Sequence, residues 1–182
     1  MSIELITDYY DNGQKKSERF WDDLIPVGNQ LFWYKNGNKK YEATELNGSH
    51  DVLTIEWYED GQKRSEGMMD DFFRIGLWTE WHENGVKKSE GFYRKPVDTE
   101  FCFEDEKFEE WIYWHKNGKL ACKGFHDDWN LEGLWMFLDE NGVELYKHNF
   151  KNVWIGLLWK KLKQEGCLYN LIHIYKCLIF GR

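Results

Sequence analysis

Apolar and polar residues alternate in short runs along most of this chain, and a turn dipeptide breaks the alternation at a fixed interval. The dipeptides are Asn12-Gly13, Asn36-Gly37, Asp60-Gly61, Asn84-Gly85, Asn117-Gly118, Asn141-Gly142 and Glu165-Gly166. Successive glycines stand 24 residues apart, except for one interval of 33 between Gly85 and Gly118, which is the same period carrying a nine-residue insertion. Period-two alternation predicts half-buried strands. Asn-Gly or Asp-Gly between two such runs predicts a tight hairpin, because both residues tolerate positive φ. Each unit should therefore run strand, turn, strand and surface loop. Whether the turn has two or three residues stays open at this point, and with it the register of each hairpin. A fixed period of this size marks a repeat architecture. The expected fold is all-β, an elongated antiparallel meander in a single sheet. About seven hairpins of 24 residues would occupy residues 1–166, with the insertion around 95–106 and an apolar cap, helical or extended, at 167–182.

The repeats also align side chains in columns. Four residues before each glycine stand Tyr9, Trp33, Trp57, Trp81, Trp114, Leu138 and Leu162; three before stand Tyr10, Tyr34, Tyr58, His82, His115, Asp139 and Lys163. Three after stand Lys16, Lys40, Arg64, Lys88, Ala121 and Leu145. A lone hairpin is marginal in water, so the units must share a sheet. The tryptophans of the first column (Trp33, Trp57, Trp81, Trp114) are expected to supply its buried surface. The long basic side chains can lay their stems over neighbouring rings and keep their charges wet.

The stretches "GLWTEWHENGVKKSEGFY", "EWYEDGQKRSEGMM", "WYKNGNKKYEA", "YYDNGQKKSERF" and "YWHKNGKLACKGF" recur in register. They resemble the MORN repeat variant, particularly the bacterial YwqK-type antitoxin family, over about residues 4–150. The seventh unit keeps only "GLLWKKLKQEG", and the glycine-lysine connector of that family is largely replaced. The resemblance implies a protein that binds and neutralises a toxin.

Charge bears on the kind of partner. The net charge is −8, but residues 151–182 carry six basic side chains against Glu165 alone, so the first 150 residues carry −13. Such a body repels nucleic acid and anionic lipid and attracts basic proteins. The tail is a second candidate contact, including for self-association, because an uncovered apolar run invites association. The start "MSIELITDYYDNG" has no basic, apolar leader, and no run reaches the roughly 18–20 apolar residues of a spanning helix, so a cytoplasmic protein is expected. Cys102, Cys122, Cys167 and Cys177 show no C-x-x-C spacing and read as reduced thiols.

What replaces the family connector is distinctive. Odd units carry Asp22-Asp23, Asp70-Asp71 and Asp127-Asp128, whereas even units carry Leu46-Asn47, Arg94-Lys95 and Lys151-Asn152. The insertion, "VDTEFCFEDEKFEE", interleaves Phe101, Phe103 and Phe108 with Glu104, Asp105 and Glu106. Aromatic anchors within a dense negative field make this loop, with Asp70, Asp71, Asp127 and Asp128, the expected contact for a basic partner. His82 and His115 share a column, but equivalent strands of successive hairpins lie about 9.5 Å apart, too far for one metal, so surface positions beside the turn are expected. No catalytic or nucleotide-binding motif is present, and an open sheet offers no cleft to tune an acid pair. The sequence thus predicts a non-catalytic protein-binding module without metal or cofactor. An antitoxin or immunity protein acting on a nucleic-acid-targeting toxin comes first, a general scaffold second and a peripheral membrane protein third.

Overall fold

The computed structural model describes residues 3–154, apart from 24, 46–50, 72, 97–104 and 128–129. Within them twelve strands form one antiparallel sheet in strict chain order, each hydrogen-bonded to the strands before and after it. They are β1 (Ile3–Tyr9), β2 (Lys15–Asp22), β3 (Ile25–Trp33), β4 (Lys39–Glu45), β5 (Asp51–Trp57) and β6 (Lys63–Asp70). There follow β7 (Phe73–Trp81), β8 (Lys87–Arg94), β9 (Glu106–Trp114), β10 (Leu120–Asp127), β11 (Asn130–Leu138) and β12 (Glu144–Trp154). The 24-residue period thus produces the meander it predicts. In that topology all six described turns line one long edge and the connectors line the other. The seventh unit and the apolar cap lie outside the described residues.

The hairpin turn takes the three-residue form. The Gly13 N–H donates to the Tyr10 carbonyl at 2.9 Å and the Tyr10 N–H to the Gln14 carbonyl at 2.8 Å, and this pair of bonds recurs in all six described hairpins. The turn glycines have φ between 77° and 92°, while the preceding Asn or Asp is not left-handed. This is a type I turn closed by a left-handed glycine bulge. Of the two turn forms left open by the sequence, the structure takes the three-residue one, in which only the glycine needs positive φ. Glycine supplies the backbone, and asparagine is kept for its side chain.

Successive side chains point to opposite faces of a strand, and the two faces here differ. On the packed face Trp78, Trp111 and Trp135 are 2%, 2% and 0% exposed. Each indole lies flat on a glycine of the preceding strand: Gly67, Gly91 and Gly124, where an added Cβ would sit 2.2–2.3 Å from the ring. Each Nε1–H donates across the same strand, to the carbonyls of Met68 (2.9 Å), Phe92 (3.0 Å) and Phe125 (3.0 Å). Tyr93 stands edge-on to Trp111 at 4.9 Å and His126 edge-on to Trp135 at 4.9 Å, while Phe137 stacks on Trp135 at 5.8 Å. With Tyr113, Ala121, Cys122, Leu131 and Phe150 these rings form the core, a line of aromatics along one face.

Trp33, Trp57, Trp81 and Trp114 are only half-buried, which corrects the expectation that they supply the buried surface. They lie on the opposite, open face, with Nζ of Lys15, Lys39, Lys63 and Lys87 held 5.1–5.5 Å from their ring centroids. The basic column also lies over rings as expected: Lys16, Lys40 and Arg64 cover Tyr10, Tyr34 and Tyr58. The core tryptophans stand seven residues before the turn glycine, not four. Only there does the neighbouring strand offer a glycine for the ring to lie on.

Candidate functional site

The turn edge is a ladder of side-chain bonds between successive repeats. Hydroxyls of Tyr10, Tyr34 and Tyr58 donate to the carbonyls of Trp33, Trp57 and Trp81, each at 2.8 Å. Nε2 of His82 and of His115 takes the same place against Trp114 and Leu138, at 2.9 and 3.0 Å. A carbonyl partner requires the tautomer protonated at Nε2. His82 is 5% exposed, so the expected surface position is corrected, and burial pushes its pKa below the usual histidine range. A second rail runs through the turns. Nδ2 of Asn12, Asn36, Asn84 and Asn117 donates to the carbonyls of Lys35, Glu59, Lys116 and Glu140. These edge residues are occupied in joining repeats. Among the described residues no three histidine, cysteine or acidic side chains gather as they would around a metal.

At the connector edge, the alternation of acidic and basic units has a spatial cause. Lys95 Nζ lies 2.9 Å from a carboxylate oxygen of both Asp70 and Asp71. Those two bonds raise its pKa. Arg94 bonds Asp127 at 2.9 Å and Glu106 at 3.0 Å. Basic connectors thus neutralise the acidic connectors beside them. The returning end of the insertion is tied down as well. Asp105 accepts the Arg74 N–H at 2.9 Å and pairs with its guanidinium at 3.5 Å, and Phe108 lies 5.1 Å beneath Arg94. Of the expected contact residues, Asp70, Asp71, Asp105, Glu106, Phe108 and Asp127 therefore meet intramolecular partners. Phe101, Phe103, Glu104 and Asp128 lie outside the described residues.

The packed face holds half-buried cations in its ring system. Arg74 stacks on Trp78 at 4.4 Å and pairs with Glu80. One repeat on, Lys107 lies 4.3 Å from the Trp111 ring and donates to the Tyr113 hydroxyl at 2.9 Å. Burial pushes the Lys107 amine down to about 8 and holds His126 well below the usual histidine range. These groups lie against rings of their own chain, so they serve packing.

The open face carries a different pattern. Leu77, Phe92, Phe125 and Leu134 are 48%, 39%, 49% and 53% exposed, on β7, β8, β10 and β11. Leu77 stands directly opposite Phe92, and Phe92 opposite Phe108. Phe125 stands opposite Glu110 on one side and Glu132 on the other. Leu77, Phe92 and Ile112 with Glu90, Glu109 and Glu110 line a shallow depression of about 300 Å³. A backbone bulge recurs along this row: Gly28, Gly76 and Gly133 take φ of 63–66° at one repeat position, and Glu109 takes φ of 63° at the equivalent place. The sequence columns considered above did not include this row. It was recoverable from the same alignment by reading eight residues before and seven after each turn glycine.

Repeated hairpins that lean on their neighbours in one open sheet define a repeat β-sheet protein, an architecture that fits a protein-interaction module. The family model of the MORN repeat variant matches residues 26–44 and 74–95, which coincide to within one residue with the β3–β4 and β7–β8 hairpins. A search of curated proteins returned no match. Among the described residues no helix is long and apolar enough to cross a membrane.

Proposed function

We propose that this chain is a non-catalytic protein-binding repeat module whose partner is a basic protein, and that it acts as an antitoxin or immunity protein. The observation that carries the reading is the −13 charge of the first 150 residues, spread over an open sheet instead of a cleft. A toxin that cuts or modifies nucleic acid needs a basic surface for the phosphate backbone. An acidic sheet and loop can occupy that surface in place of the nucleic acid. The insertion residues Phe101, Phe103 and Glu104 remain contact candidates. The acidic connectors contribute chiefly through the field left after Arg94 and Lys95 are paired. The same field disfavours nucleic acid and anionic membrane as ligands. The test is affinity capture with the intact tagged chain from its native cell at low and at high salt. The expected result is a basic protein retained at low salt and released as salt rises. Recovery of an acidic protein, or binding to anionic vesicles in co-sedimentation, would count against the proposal.

A further inference from the structure

The exposed apolar side chains of the open face stand on β7, β8, β10 and β11, with half-buried Phe108 on β9 between them, a width of about 19 Å at the usual strand spacing. Scattered single exposed apolar residues are ordinary, but a cluster of them on neighbouring strands is the mark of a contact surface. The fifth repeat interrupts the row in a telling way. Neighbouring repeats place Gly76-Leu77 and Gly133-Leu134 where the fifth places Glu109-Glu110. Glu109 accepts a left-handed backbone that glycine adopts freely at the equivalent positions. Neither carboxylate makes an ion pair among the described residues. A left-handed glutamate at a position that three other repeats fill with glycine points to a role outside the fold. Phe125, half-exposed and flanked by Glu110 and Glu132 on the adjacent strands, combines an aromatic ring with two acidic neighbours, which is the recognition chemistry of a lysine or arginine side chain. Lys123 lies next to Ile112 on the same face and limits the acidic ground to one side of the row.

We infer that the open face of β7 to β11 docks a basic amphipathic helix of the partner protein, with its apolar stripe over Leu77, Phe92 and Leu134 and a cationic side chain on Phe125 between Glu110 and Glu132. The inference rests on the protein-binding reading above. The occupant is a helix because a strand laid on the face of a sheet leaves its own backbone groups unpaired, whereas a helix satisfies its own. At 1.5 Å per residue, about 13 residues span the row.

The test uses the full chain and a fluorescein-labelled leucine–lysine peptide of about 14 residues with helical spacing of its leucines, alongside a leucine–glutamate counterpart. Fluorescence anisotropy should show binding of the lysine peptide only, weakening as salt rises. The double variant Glu110→Lys/Glu132→Lys, and separately Phe125→Ser, should each lower its affinity about tenfold or more while the thermal melt is kept. The reversals Asp11→Lys/Glu59→Lys at the turn edge change the net charge equally and should leave affinity nearly unchanged. An equal loss in both charge-reversed pairs would reduce the binding to net charge and overturn the inference. So would tighter peptide binding in a Lys160→Glu/Lys161→Glu/Lys163→Glu variant, which would assign the face to the chain's own tail. A native partner that is captured by the intact chain, and is bound equally well by the Glu110→Lys/Glu132→Lys variant, would refute this face and leave the protein-binding function standing.

Discussion

Substituting Gly124 by alanine isolates the contact on which the core depends. A Cβ there would stand 2.2 Å from the Trp135 indole, and the atom it meets belongs to a rigid ring that is 0% exposed. The ring cannot swing aside without stretching its 3.0 Å bond to the Phe125 carbonyl and disturbing Phe137 and His126. Overpacking of this kind costs about 1–3 kcal/mol, and weakening the indole bond adds about 1 kcal/mol. The smaller entropy of an alanine in the unfolded chain returns about 0.5–1 kcal/mol. The expected net loss is about 1–3.5 kcal/mol, or a fall of about 2–14 °C in Tm for a chain of this length. A second variant makes the reasoning specific. With Trp135→Leu already present, Gly124→Ala should be neutral or slightly stabilising, giving a coupling of about 2–3 kcal/mol in a double-mutant cycle read by denaturant titration. The chain carries its own control, since the glycine position is filled by Arg19 and Ala43 in the repeats where no tryptophan follows. An equal cost of Gly124→Ala in both backgrounds would refute the account of the core.

Other substitutions probe the edges and the bulge. Asp60→Asn restores the amide missing from the asparagine rail and should stabilise by about 0.5–1 kcal/mol in denaturant titration; a loss would mean that this rung is not used. Glu109→Gly should raise stability by about 1 kcal/mol through relief of left-handed strain, an outcome readable as an upward shift of the melt. His82 has a folded-state pKa held below its ordinary value by burial. The unfolded chain therefore takes up the proton first, so the stability contributed by neutral His82 is complete above about pH 6.5 and drains away as pH falls below it. His82→Tyr, which copies Tyr10, Tyr34 and Tyr58, should flatten the acid side of a stability–pH profile, and an unchanged profile would show that His82 does not titrate on unfolding.

The repeat, the strand order and the placement of turns were legible in the sequence because glycine at a left-handed position is a local requirement that tertiary context rarely overrides. The core column was not read correctly. Trp33, Trp57, Trp81 and Trp114 recur without a break and so draw the eye. Trp78, Trp111 and Trp135 begin only in the fourth repeat. What marks them is a second column in step with the first: Gly67, Gly91 and Gly124 appear only where such a tryptophan follows. The bulged turn also hid the register. It sets Tyr9 against Lys15 and, in the equivalent units, Trp57 against Lys63 and Trp81 against Lys87. Face assignments counted outward from a two-residue turn would therefore be shifted. The charges of the connectors were read as a surface field, and their pairing could be seen only once Lys95 stood beside Asp70 and Asp71.

The two faces answer to different constraints, and this separates residues kept for stability from residues kept for contact. On the packed face the largest departures from the repeat have partners nearby. Arg74 has Glu80 and Asp105, Lys107 has the Tyr113 hydroxyl, and each indole has both its glycine and its carbonyl. On the connector edge each acidic pair with a basic neighbour is likewise matched. Glu109-Glu110 breaks that habit. It stands where adjacent repeats place Gly-Leu, directly after the only insertion in the period, with strain in the backbone and no ion pair among the described residues to offset it. Glycine would fill this position with less strain, as Gly28, Gly76 and Gly133 do at the equivalent places. The docking proposed above for the open face beside Phe125 supplies a reason for it that the fold does not.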